Sequence, residues 1–110
     1  MAITKLDGAW QMRASQLLAK HIDEIKSIAR RYEKKGLHNL RIFGSVAKGV
    51  DTEKSDIDFL VDAAPDVTLL IIGGMHFELE QLLGARFDLI TSGSIPEDLK
   101  YLILEEARPI

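Results

Sequence analysis

The segment SDIDFLVD, residues 55–62, is the most informative part of this chain about both its fold and its chemistry. Its β-branched and aromatic residues predict a strand over residues 56–62. Alternate residues of a strand share a face, so Asp56 and Asp58 lie on one side with Cα atoms about 6.6 Å apart. A solvent-facing edge strand would also tolerate two aspartates, but the apolar residues at positions 57, 59, 60 and 61 predict burial on much of both faces. Two carboxylates so placed repel each other, and bridging divalent cations such as Mg²⁺ relieve that repulsion.

A third carboxylate stands out further along the chain. Asp88 lies in the segment FDLI, residues 87–90, within a strand predicted over residues 85–91. An aspartate among apolar neighbours in a strand is unusual unless it is paired, hydrogen-bonded or metal-bound. Beside the first pair it would complete a two-metal site, in which ions about 3.5–4 Å apart clamp a phosphoryl group. Such a carboxylate can also activate an attacking hydroxyl.

The glycine spacing upstream of the aspartate pair is a weaker signal. Gly44 and Gly49 in GSVAKG, residues 44–49, have the spacing that opens a P-loop. However, Val50 and Asp51 stand where a P-loop carries Lys and Ser or Thr. The dinucleotide-binding fingerprint fails as well, because no third glycine follows at its spacing. Taken alone, the glycine pair indicates a tight turn after a strand.

The remaining patterns predict a small α/β or α+β domain with a short mixed sheet flanked by helices. Apolar residues at three- and four-residue steps over residues 17–32 predict one helix, which begins between residues 8 and 15 and ends near Gly36. Further predictions are strands over 37–43, 56–62 and 85–91, a helical turn over 45–48, a helix from the cap Thr68 to about 83, and a helix over 97–106 with Ser94 as its candidate cap. Gly73 and Gly74 fall inside the helix that Thr68 begins, and they predict close packing, a bend or two shorter helices.

Composition limits the classes of protein that this chain can belong to. Its 110 residues are room for one domain, 1–110, and 46% hydrophobic with 28% charged residues exclude disorder and fibrous repeats. The 14 basic and 17 acidic side chains give a net charge of −3, so nucleic acid is not expected as a partner and a nucleotide must be gripped locally. Cysteine is absent, which excludes disulfides and thiol chemistry. Without a predicted signal peptide or membrane span, we expect a soluble cytoplasmic protein.

Together, GSVAKG (44–49), SDIDFLV (55–61) and FDLI (87–90) resemble the DNA polymerase β-like nucleotidyltransferase superfamily, and the short chain is similar to its minimal nucleotidyltransferases. The resemblance implies that Asp56, Asp58 and Asp88 are the catalytic residues and the ligands of two Mg²⁺ ions. It also implies that four residues bind the triphosphate of the nucleotide: Gly44, Ser45, Lys48 and Gly49. Lys48 stands where the family usually has Arg, and it lacks the planar fork that contacts phosphate in a bidentate way.

Minimal nucleotidyltransferases are commonly antitoxins paired with helical HEPN-domain ribonuclease toxins. The resemblance therefore implies an enzyme that moves AMP from ATP to a hydroxyl, expected to be a tyrosine of a cognate HEPN toxin with which it forms a hetero-oligomer. Two alternatives stay open: an antitoxin that neutralises its partner by binding alone, and a transferase acting on a small molecule. Among other residues, we interpret Asp62 as a polar group at a strand end, His21 as a packing residue, and Trp10 as packing on the first helix or contacting a partner.

Overall fold

The structure, a computed structural model, describes residues 12–110. Because residues 1–11 lie outside that range, one domain over 1–110 stays a prediction. None of the described helices is long and apolar enough to cross a membrane. The elements are, in chain order, α1 (Ala14–Lys20), α2 (Ile22–Glu33), β1 (Leu37–Phe43), α3 (Gly44–Lys48), β2 (Ile57–Ala63), α4 (Leu69–Leu83), β3 (Phe87–Thr91), a 3-10 turn (Ser92–Ser94), α5 (Glu97–Glu106) and β4 (Arg108–Pro109).

Four strands form one mixed sheet in the order β3-β2-β1-β4. Strand β1 pairs antiparallel with β2 and β4, while β2 and β3 run parallel. Since β2 is an inner strand, its residues Ile57, Phe59, Leu60 and Val61 are all fully buried. Burial on both faces explains why its apolar residues run almost without a break. The predicted fold class, α/β with a short mixed sheet flanked by helices, is confirmed.

The two faces of the sheet carry different helices. Helices α1, α2 and α4 cover one face, where Ile25, Phe59 and Met75 belong to one buried cluster. Helix α3, the 3-10 turn and α5 contact the strands from the other side, where Leu60 is buried. Because Asp58 alternates with Phe59 along β2, its side chain lies on this second face.

The first predicted helix needs correction. In place of one helix ending near Gly36, the chain forms α1 and α2, which are separated at His21 (φ −112°, ψ 18°). The N–H of Ser15, in the first turn of α1, donates to Asp51 Oδ2 at 2.7 Å. A loop far along the chain therefore fixes the start of α1, and the periodicity of apolar residues carries no information about such a contact.

Strand boundaries differ by one or two residues from the predictions. Strand β2 begins at Ile57, so Asp56 lies just before it rather than within it. Strand β3 begins at Phe87 rather than at residue 85. The two-residue strand β4 was not predicted, because two residues are too few to carry a period-two pattern.

One of the two predicted helix caps is confirmed. Thr68 caps α4, since its side chain accepts a hydrogen bond from the N–H of Ile71 at 3.4 Å. The prediction for α5 is wrong, because its N-cap is Pro96. Ser94 instead closes the 3-10 turn, where its hydroxyl donates to the carbonyl of Thr91 at 2.8 Å.

Helix α4 continues without interruption through Gly73 and Gly74, so two shorter helices is the wrong alternative. A Cβ at Gly74 would lie 2.8 Å from Tyr32 Oη, whereas one at Gly73 would meet nothing within 4 Å. Tyr32 belongs to α2, is buried, and donates its hydroxyl proton to Glu78 at 2.8 Å. Close packing of α4 on α2 is therefore the reason for glycine at position 74.

Candidate active site

Parallel pairing of β2 with β3 brings two of the three predicted carboxylates together. Asp58 and Asp88 are register partners on these neighbouring strands, whose axes lie about 4.8 Å apart. Asp56 directly precedes the first residue of β2. The sheet register thus gathers acidic residues that are far apart in the chain.

Asp58 is the electrostatic centre of this carboxylate group. Its side chain is partly buried, whereas Asp56 and Asp88 are exposed. Burial raises the pKa of the Asp58 carboxyl, and neighbouring negative charges raise it further, namely Asp88, Asp56 and Glu106. All these influences disfavour the ionised form, so a cation bound among the carboxylates would stabilise it.

Gly44 touches Asp58 from the end of the adjoining strand. Phe43, the last residue of β1, pairs with Asp58, and Gly44 follows it. Gly44 has φ +72°, in the left-handed region. A Cβ at this position would overlap Asp58 Oδ2. Backbone conformation and close approach both require glycine here, so the predicted turn lies directly against Asp58.

The other predicted nucleotide-binding residues lie on α3. Ser45 is in its first turn and partly buried, while Lys48 is in its last turn and exposed. Gly49 ends the helix in the left-handed conformation (φ 74°, ψ 26°), which favours glycine. A role of Gly49 in nucleotide binding stays a prediction, because the conformation alone explains the residue.

Glu106, at the end of α5, also contacts this turn, and no sequence pattern indicates that position. The N–H of Gly44 donates to Glu106 Oε1 at 2.9 Å. Lys48 Nζ lies 3.5 Å from Glu106 Oε2. A glutamate at the end of a charged helical segment is typical of a solvated surface, so only the fold reveals that it reaches the turn after β1.

Comparison with known proteins identifies the family. Residues 16–110 match the family model described as a nucleotidyltransferase domain. The chain belongs to the nucleotidyltransferase family. It is 41% identical over 88 residues to the protein named "Putative protein adenylyltransferase MJ0435" from Methanocaldococcus jannaschii, across 79% of this chain and 95% of that protein. The predicted superfamily is thereby confirmed, and the chain is an enzyme of the nucleotidyltransferase type.

Solved structures agree with this membership. The "Structure of putative minimal nucleotidyltransferase" is 32% identical, has a TM-score of 0.73, and the match covers 84% of this chain and 95% of that one. The "Crystal structure of the toxin-antitoxin with AMP-PNP" is 23% identical with a TM-score of 0.64, over 79% of this chain and 69% of that one. At that identity the second likeness shows a shared fold only.

Arg86 is a further residue of this nucleotidyltransferase that sequence reasoning missed. Its Nη2 donates to the carbonyl of Ser55 at 2.6 Å, and its Nη1 donates to the carbonyl of Met12 at 2.7 Å. Ser55 immediately precedes Asp56, so the guanidinium ties the entry of β2 to the start of α1. An arginine before a strand has no sequence signal for this role, because both of its partners are backbone carbonyls.

Asp62 lies on the same strand as Asp58 but has basic and amide partners. Arg41 Nη2 donates to Asp62 Oδ1 at 3.1 Å, and Asn39 Nδ2 donates to Oδ2 at 3.3 Å. Burial acts to raise the pKa of Asp62, but hydrogen bonds from Ser92, Asn39 and Arg41 lower it overall. Its interpretation as a polar group near the strand end agrees with these contacts.

His21 and His76 belong to the helical layer on the other face of the sheet from Asp58. His21 sits at the junction of α1 and α2, with Nδ1 3.9 Å from Glu24 Oε2. His76 packs on the ring of Phe87, with centroids 4.8 Å apart. The two expectations for Trp10 fall outside the described residues.

Carboxylate oxygens are the donors that Mg²⁺ prefers, so the chemistry of the three aspartates fits the predicted ion. Over residues 12–110, no three His, Cys, Asp or Glu side chains already stand close enough to hold a metal ion. Asp56 and Asp88 are exposed and therefore free to rotate toward Asp58. Reorientation of these two side chains is what a shared ion requires.

A cavity of about 350 Å³ lies elsewhere, between α2 and α4. Its lining includes Ile28 and Leu82 and the ion pair of Arg31 with Glu78, whose atoms are 2.6 Å apart. These helices cover the face of the sheet opposite to Asp58. The cavity therefore does not mark the carboxylate site, and we assign it no part in nucleotidyl transfer.

Proposed function

We propose that this nucleotidyltransferase moves AMP from ATP to a hydroxyl of a partner protein in a Mg²⁺-dependent reaction. One observation carries the proposal: Asp58 and Asp88 are in register on neighbouring strands, and Gly44 of the adjoining turn lies against Asp58. Carboxylates that lie beside a turn carrying an exposed lysine suit a phosphate-bearing substrate with its metal ions. Cytoplasmic location stays a prediction.

Each residue has a role in this proposal. The N–H of Gly44, the Ser45 hydroxyl and the Lys48 ammonium hold the triphosphate. Asp56, Asp58 and Asp88 would hold two Mg²⁺ ions, which would supply positive charge at the reacting phosphate.

The acceptor oxygen attacks the α-phosphorus, the bond from that phosphorus to the bridging oxygen of the β-phosphate breaks, and pyrophosphate leaves. Asp88 is exposed and on a separate strand from Asp58. It is therefore placed to take the proton of the acceptor hydroxyl.

A protein acceptor is supported by the surface of α5. No residue of α5 is buried, and four of its large apolar side chains are exposed: Leu99, Tyr101, Leu102 and Leu104. Exposed apolar residues gathered on one helix are typical of interaction sites. Glu97 and Asp98 lie in the first turn of this helix, and Lys100 is its one basic residue. The excess of negative charge favours a partner with an apolar surface flanked by Lys and Arg. The helix leads directly to Glu106 and the turn at Gly44.

We propose that the partner is a toxin of the HEPN ribonuclease type, modified on a tyrosine. The relative from Methanocaldococcus jannaschii is named for protein adenylyl transfer. A structure of the same fold is described as a toxin–antitoxin with AMP-PNP. The sequence resemblance supplies the HEPN type and the tyrosine.

The exposed face of α5 also suits the second candidate, an antitoxin that acts by binding alone. Titrating the ribonuclease activity of a candidate toxin, the product of the gene adjacent to this chain's own, separates the two. With ATP and Mg²⁺, wild type is expected to silence the toxin at substoichiometric amounts and to add the mass of AMP. Asp88→Asn should neutralise it only near one-to-one, with no added mass, while Asp23→Asn on the exposed side of α2 should match wild type. Equal potency of wild type and Asp88→Asn at one-to-one, with no mass change in either, would support simple binding instead.

A further inference from the structure

The carboxylate of Glu106 contacts two of the groups that would bind phosphate in the proposed function. Its Oε1 accepts the N–H of Gly44 at 2.9 Å, and its Oε2 lies 3.5 Å from Lys48 Nζ. A phosphate oxygen and a carboxylate oxygen are acceptors of the same kind, and both prefer charged donors and backbone N–H groups. One N–H aimed at Glu106 is not available to a nucleotide at the same moment.

Negative charge makes coexistence of the two anions unfavourable. The side chain of Glu106 is only 25% exposed, and its negative charge acts on nearby Asp58. A triphosphate would add several negative charges beside Glu106 and Asp58, which both lie against Gly44. Coulomb repulsion between partly buried groups is only weakly screened by salt, so the glutamate must leave when the triphosphate enters.

The attachment of α5 makes this exit feasible. Helix α5 has no buried residue, and it contacts the rest of the domain chiefly through α3 and β1. The side chain of Lys48 is exposed, so it can reorient when its anionic partner changes from Glu106 to phosphate. Elements with few buried apolar contacts open at low free energy.

We propose that Glu106 is a displaceable occupant of the triphosphate site, which nucleotide binding must expel from Gly44 and Lys48. This inference rests on the proposed function, because it takes that turn to be the phosphate-binding turn. While Glu106 contacts Gly44, nucleotide cannot bind. The apparent affinity for nucleotide therefore equals the affinity of the open site multiplied by the fraction of molecules in which Glu106 has moved away. Any movement of α5 that withdraws Glu106 then favours nucleotide binding.

Calorimetric titration with α,β-methylene ATP, which cannot transfer AMP, tests this directly in the presence of Mg²⁺. Glu106→Ala is expected to bind the analogue about tenfold more tightly than wild type, as for a site open in roughly a tenth of molecules. Glu106→Gln should lie between them, since an amide oxygen can still accept from Gly44 but carries no charge. Glu105→Gln, a change of the same charge at the exposed neighbouring position, should stay within about twofold of wild type. Adenosine, which has no phosphate, should bind all four proteins alike.

Several results would overturn the inference. Unchanged or weaker binding of the analogue by both Glu106 variants would show that Glu106 does not compete with phosphate. If Glu105→Gln bound the analogue as tightly as the Glu106 variants do, the loss of one negative charge would explain the result. If the Glu106 variants also bound adenosine more tightly, the effect would not concern phosphate. If wild type and every variant fail to bind the analogue, the proposed function fails and the inference fails with it. Should Glu106→Ala unfold, Glu106→Gln alone decides the comparison.

Discussion

At the scale of single residues, Asp58 combines a raised pKa with a place beside two other aspartates. A carboxyl whose pKa is raised on folding costs stability once pH exceeds its normal value, and the cost grows as pH rises through the raised pKa. Without divalent ions, Asp58→Asn should therefore be more stable than wild type at pH 7 and unfold at a higher temperature. The gain in free energy of unfolding should be at most about 1 kcal/mol, because solvent screens the repulsion. The advantage should shrink as pH falls toward 4, and thermal unfolding across that range measures it.

Asp62→Asn is the matched control on the same strand, and its expected sign is opposite. The pKa of Asp62 is lowered overall, so its ionised form contributes stability that is lost as pH falls through the lowered value. Asp62→Asn should accordingly be less stable than wild type at pH 7 and approach it in acid. Stabilisation by both substitutions, or by neither, would contradict the electrostatic description of the site.

Gly44 and Gly49 allow contact to be separated from backbone conformation. Both have φ near +70°, at +72° and +74°, but only a Cβ at Gly44 meets Asp58. Either alanine should cost about 1–2 kcal/mol for the left-handed conformation. Gly44→Ala should cost about 1–3 kcal/mol more, because the Asp58 side chain must shift. Urea denaturation of both variants measures the difference, and equal losses would mean that the contact with Asp58 is easily relieved.

At the scale of elements, three of the longer ones could be predicted from different signals. The spacing of apolar residues marks α2, the cap Thr68 marks the start of α4, and β-branched and aromatic residues mark β2. The break at His21 could not, since apolar residues continue in register across it while Asp51 fixes the start of α1 from a distant loop. Strand β4 exists only because β1 offers it an edge. Strand β2 begins one residue later than predicted, which places Asp56 before the strand.

Packing of α4 on α2 gives a prediction at this scale. Gly73→Ala should stabilise the protein by about 0.5–1 kcal/mol, because its Cβ meets nothing and glycine is costly within a helix. Gly74→Ala should destabilise by about 1–3 kcal/mol, because its Cβ presses on the hydroxyl of buried Tyr32, which is already bonded to Glu78. Equilibrium unfolding of the pair provides the measurement. A gain from both alanines would show that Tyr32 yields easily and that the glycine is not required.

At the scale of the whole molecule, the aspartates could be found from sequence because spacing and apolar surroundings mark them. Glu106 and Arg86 could not, since their partners are backbone groups brought near by the sheet: the N–H of Gly44 and the carbonyl of Ser55. The sequence pattern thus predicts the aspartates of the candidate site. Only the fold reveals the side chains that bind the backbone around them, Glu106 and Arg86.

Transfer of AMP by the three aspartates can be followed with radiolabelled ATP. The candidate toxin is incubated with this protein, Mg²⁺ and ATP labelled at the α-phosphorus, with a parallel reaction labelled at the γ-phosphorus. We expect the α label on the toxin, and the γ label in pyrophosphate and unreacted ATP but not on the toxin. Asp56→Asn should leave the toxin unlabelled, while Asp23→Asn behaves as wild type. The γ label on the toxin, or equal α labelling by wild type and Asp56→Asn, would contradict nucleotidyl transfer at this site.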